Sequence, residues 1–74
     1  MEAYQERFIE EYWQVRSRTE RLEKMLGELE AGELDFKLTC PPSLLYAQLN
    51  AMVEYLGVLD ERKEIEGIDV GGGE

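Results

Sequence analysis

The chain has 74 residues, with seventeen acids against eight bases for a net charge of −9, no histidine and a single cysteine, Cys40. That composition excludes a zinc site and an internal disulfide, and the acidity disfavours general binding to nucleic acid or to an anionic membrane surface. A chain this short rarely gains more than about 3–5 kcal/mol from one core, so without a staple it is expected to rely on further copies of itself.

The first predicted element is a helix from Glu2 or Ala3 to about Ala31. Phe8, Tyr12, Val15, Thr19, Leu22, Leu26 and Leu29 recur at alternating four- and three-residue steps, the spacing of a coiled-coil seam. Glu20 and Lys24 stand at i, i+4 with the acid on the favourable side. Gly32 is placed for a C-terminal cap, and Gly27 is a weak point inside the helix. Such a helix is roughly 40 Å long, at about 1.5 Å per residue, which is long for a lone domain of this size.

Residues 33–40 alternate apolar Leu34, Phe36 and Leu38 with polar neighbours, which predicts an extended connector with one side on the hairpin and the other in water. Pro41 and Pro42 suit the first turn of a helix and forbid its interior, with Thr39 or Cys40 as the expected cap. The second helix is predicted from Pro42 to Glu66, stopped by Gly67. Its seam is Leu45, Leu49, Met52, Leu56 and Leu59, and Lys63 marks where that seam runs out. Residues 68–74, rich in glycine, read as a mobile tail unless Ile68 and Val70 dock on a neighbour. The domain is therefore residues 1–67.

The pattern predicts an all-α fold, an antiparallel two-helix hairpin with an extended connector, assembling into a homo-oligomeric helical bundle. A flanking stripe on each helix is left over after the seams pair: Tyr4, Ile9, Trp13 and Met25 on one, Leu44, Ala51, Tyr55 and Val58 on the other. That surplus asks for a partner, with Ile9, Trp13, Leu44, Tyr55 and Val58 as the expected oligomer interface. No charged-then-apolar leader and no run of about 18 apolar residues occurs, which predicts a soluble, cytoplasmic protein without a membrane partner.

Charge is unevenly spread. Folding the chain back brings the acidic residues 2–11 and 54–69 to one end, leaving Arg16, Arg18, Arg21 and Lys24 beside the nearly uncharged start of the second helix. That loop-side half suits a small anion: the free N–H groups of a helix N-terminus, with Lys37, Thr39 and Ser43 nearby. A hydroxyl before a helix also serves as a simple cap. No nucleophile stands with a general base, no carboxylate pair has a partner to tune it, and Gly71, Gly72 and Gly73 neither follow a strand nor open a helix, so no catalytic residue, cofactor or metal is expected.

In the second helix and before it, Phe36, Leu44, Leu45, Gln48, Met52, Tyr55, Leu59 and Arg62 form the frame F-x7-LL-x2-Q-x3-M-x2-Y-x3-L-x2-R. The first helix has Arg7, Glu10, Glu11, Arg21, Leu22 and Met25. These residues resemble the phage helical-hairpin family that includes the anti-CBASS and anti-Thoeris cyclic-nucleotide sponges, over roughly residues 4–66. The resemblance implies a phage anti-defence protein of the infected host cell that assembles into oligomers, often hexamers, and sequesters cyclic oligonucleotides or cyclic ADP-ribose-type signals between protomers without cleaving them. It further implies that Lys37 and Thr39 bind phosphates, that Tyr4 or Tyr12 stacks on a base, and that Arg62 completes a second pocket. Cys40, Pro41 and Pro42 stand where the better-characterised sponges have a Gly-Tyr-Arg run. Two other expectations compete: an acidic inhibitor that binds a host or defence protein, with DNA mimicry as one form of it, and a structural or adaptor hairpin with no ligand.

Overall fold

The structure, a computed structural model, describes residues 2–71. Helix α1 spans Ala3–Glu30 and helix α2 spans Pro42–Glu66, and the two pack antiparallel as a rod of 44 × 20 × 17 Å. No strand occurs among the described residues.

Each boundary has a local cause. At the end of α1, Gly32 takes φ 72°, and the N–H groups of Gly32 and Glu33 donate to the carbonyls of Leu29 and Glu28 at 3.1 and 2.8 Å. This crossed pair closes the helix, and a left-handed residue between the two bonds is what glycine supplies without strain. Gly67 repeats the device at φ 65°, with Gly67 and Ile68 donating to Glu64 and Lys63. Gly27 leaves α1 unbroken. The expected cap at Thr39 or Cys40 is corrected: Pro41 is the cap residue, no side chain caps the helix, and the Pro41 carbonyl accepts from Leu44 and Leu45. Pro42 at the first helical position removes one N–H that would otherwise need a partner.

Phe8, Tyr12, Val15, Leu59 and Ile68 form the core, with Ile9, Trp13, Leu56 and Val70 packed against it. The core lies at the end where both termini meet. Thr19, also buried, satisfies its hydroxyl by donating to the Val15 carbonyl at 2.7 Å. Towards the loop the seam is thinner: Leu26 is buried, whereas Leu22, Leu29, Leu45, Leu49 and Met52 are half-buried.

Three further expectations need revision. The chain beyond Gly67 folds onto its own hairpin: Ile68 enters the core and the Trp13 indole N–H donates to the Val70 carbonyl at 2.6 Å. Gly72, Gly73 and Glu74 lie outside the described residues. In the connector Leu34 and Leu38 are half-buried, but Phe36 turns outward and is 55% exposed.

The third revision concerns the flanking stripe of α1, which divides in two. Helical geometry sets Tyr4 and Met25 on one side of the seam and Ile9 and Trp13 on the other. Tyr4 bonds Arg62 and Glu66 of α2, whereas the tail covers the Trp13 side. Because Arg62 shares a helix face with Leu44, Ala51, Tyr55 and Val58, those residues belong to the Tyr4 flank. The five residues expected at one interface therefore occupy opposite faces of the rod.

Candidate functional site

At the loop end, the turn out of α1, the connector and the two prolines enclose an open groove of about 560 Å³, within the range of small-molecule sites. Leu34, Phe36, Leu38 and Pro42 supply apolar walls, and Lys37 and Thr39 bring an ammonium and a hydroxyl to its lining. The groove stands at the start of α2, where Pro42 has no N–H and the Leu44 and Leu45 N–H groups already donate to the Pro41 carbonyl, so what the helix end offers is its partial positive charge. Among the described residues neither Lys37 nor Thr39 makes a side-chain hydrogen bond, and Lys37 has no ion pair. Two donors are thus uncommitted beside an apolar wall. Such a groove is suited to a flat ring system carrying phosphate. Phe36 was legible in the sequence as part of a connector, but its outward turn into the groove was not.

Tyr4 and Arg62, 58 positions apart in sequence, come together at the opposite end. The Arg62 guanidinium donates to the Tyr4 hydroxyl at 2.7 Å, and that hydroxyl donates to Glu66 Oε1 at 2.8 Å. Arg62 also reaches Glu66 Oε2 at 3.5 Å and lies 4.8 Å from the centre of the Phe8 ring. The Tyr4 hydroxyl, ahead of Glu66, pushes the Arg62 pKa further above its ordinary value. Arg62 therefore engages Tyr4, Phe8 and Glu66 at once, and it fastens the two ends of the chain together while some of its N–H donors stay open. Tyr4 remains 44% exposed.

Tyr12 is corrected as a stacking residue. It is 4% exposed, meets the Trp13 ring edge-on at a centroid distance of 5.3 Å, and has the Lys63 ammonium 5.4 Å from its own ring. A base has no access to it.

Lys37 and Thr39 adjoin one end of α2 while Arg62 lies 20 residues along it, about 30 Å at the rise of a helix. One protomer does not unite them. Among the described residues no group of three or more His, Cys, Asp or Glu side chains is placed to hold a metal, and no helix is long and apolar enough to cross a membrane.

The fold defines a small all-α hairpin with an open groove at its loop. A family model described as Sequestin matches residues 2–65, most of the chain. The protein belongs to the Sequestin family. No curated protein and no solved structure matched it.

Proposed function

We propose that the protein is a phage anti-defence sponge: several copies assemble in the cytoplasm of the infected host and hold cyclic oligonucleotide or cyclic ADP-ribose-type immune signals without cleaving them. The observation that carries this reading is the loop groove, where Lys37 and Thr39 have no side-chain partner among the described residues and lie next to apolar walls at a helix N-terminus. A phosphate there gains the ammonium and the helix end together, while the apolar wall takes the base or ribose. The family's name agrees with sequestration. The distance of about 30 Å between the groove and the Tyr4–Arg62 end favours pockets shared between copies, in which one protomer's Lys37 and Thr39 approach another's Tyr4. Retention without cleavage is supported by the groove lining, whose polar side chains are an ammonium, a hydroxyl and a thiol, none of them a carboxylate or imidazole base.

Calorimetry against a panel of cyclic di- and trinucleotides and cyclic ADP-ribose isomers tests the proposal, with the ligand recovered intact after denaturation. Lys37→Glu removes one attraction and adds a repulsion, so affinity should fall by about 2 kcal/mol or more, some thirtyfold. If no member of the panel binds to a folded assembly, the reading is wrong. The acidic end of the rod, with exposed Glu6, Glu10, Glu61 and Glu64, would then favour the protein-inhibitor alternative, whose affinity for its target should fall steeply with salt.

A further inference from the structure

Helix α2 carries two seams. The first, from Leu45 to Lys63, faces α1. The second sits one residue earlier in each step: Leu44, Ala51, Tyr55, Val58 and Ile65, with Gln48 and Arg62 between them at heptad spacing. Leu44 is 60% exposed, Val58 54% and Ile65 83%, so the described residues of the hairpin leave the apolar members of this second seam open.

We infer that a second copy of the chain covers it, through an antiparallel, two-fold contact of α2 with α2 centred near Tyr55. The order of residues along the stripe carries the choice of occupant. Read from either end it is the same: apolar, polar, apolar, Tyr, apolar, polar, apolar. A two-fold axis near Tyr55 therefore sets Leu44 near Ile65 of the other copy, Ala51 near Val58 and Gln48 near Arg62, and leaves no position facing its opposite in kind.

Charge supports the same partner. The protein carries −9 overall, so two copies repel over most of their surface, yet no carboxylate lies in this stripe. Glu66 beside it is held by Arg62 and Tyr4, and the amide oxygen of Gln48 is an acceptor for the remaining Arg62 donors. Glu54 and Glu61 border the outer edge of the stripe and are exposed, so their carboxylates can stay in water beside the contact. From Leu44 to Ile65 the contact runs about 30 Å, long enough to seat one helix along another. The Trp13 flank is excluded from this contact because the chain's own tail occupies it.

The inference rests on the assembly named in the proposed function and adds its surface and symmetry. Cysteine pairing on a Cys40→Ser background tests it. Tyr55→Cys should link to itself under mild oxidation, and a mixture of Ala51→Cys and Val58→Cys chains should give the mixed dimer in preference to either self-linked one. Val53→Cys, on the opposite flank, should stay unlinked. Val58→Glu should reduce the mass by light scattering towards the 8.6 kDa of one chain, whereas Val53→Glu should leave the assembly as it is. Self-linking of Ala51→Cys over the mixed dimer, equal linking at position 53, or a monomeric parent chain at micromolar concentration would overturn the inference. Ligand binding by an assembly with the wrong linking pattern refutes this contact alone; correct linking in an assembly that binds no nucleotide refutes sequestration alone.

Discussion

Leu59→Ala strikes the hairpin where it has least room to adjust. Leu59 is 0% exposed and is packed among Phe8, Tyr12, Val15 and Ile68, which come from α1 and the tail, so its removal empties the junction of all three segments. Leucine exceeds alanine by three carbons, worth about 2.4 kcal/mol at about 0.8 kcal/mol each, and a residual cavity raises the expected total to about 3–4 kcal/mol. At about 0.05–0.15 kcal/mol per residue the whole chain has roughly 4–11 kcal/mol of stability, so this one change should remove a large share of it. Urea titration followed by circular dichroism, with protomer concentration held constant because assembly contributes to stability, measures the loss. Val53→Ala, at a position 51% exposed, is the control and should change stability by about 0.5 kcal/mol or less. Equal losses at the two positions would refute this packing of the core.

Gly67→Ala isolates the backbone term, because a Cβ at that position meets nothing within 4 Å while φ is +65°; the expected loss is about 1 kcal/mol in the same titration, and no loss would mean that the turn does not need a left-handed residue. Tyr46 donates to the Glu30 carboxylate, which raises the Tyr46 pKa above its ordinary value. The folded state thus favours the neutral phenol, and the stability from this contact is fully present below about pH 10 and lost as pH climbs through the raised folded value. Phenolate absorbance should show a late-titrating contribution that is lost in Tyr46→Phe; a late part of the curve unchanged by the substitution would refute the assignment.

The two helices and their limits were legible without coordinates, because each signal is local. Pro41 and Pro42 lack N–H donors and admit only a helix start, Gly67 alone accepts a left-handed turn at no strain, and a seam from Phe8 to Leu26 needs only its own spacing to be recognised. The proximity of Lys37 and Thr39 to the start of α2 was legible for the same reason. The segment after Gly67 was harder to read. Ile68 precedes Asp69, Val70 and glycines, and that composition alone suggests a loose end; only the direction in which the Gly67 turn sends the chain puts Ile68 into the core and Val70 against Trp13.

Tertiary structure also decided which surplus apolar residues share a face. Heptad spacing places residues around one helix axis, but the two flanks of a seam are equivalent until the second helix and the tail choose between them. The tail took the Ile9–Trp13 side, and Tyr4 joined Arg62 and Glu66 on the other. Tyr12 illustrates the same limit, since position in a seam makes burial expected while an aromatic ring equally suits stacking, and only the packing of Phe8, Leu59 and Ile68 around it settled the matter. Local sequence determined the helices, their ends and the groove's donors, because caps and periodicity act within a few residues; the fold alone decided which donors are already taken, because Arg62 meets its partner 58 positions away.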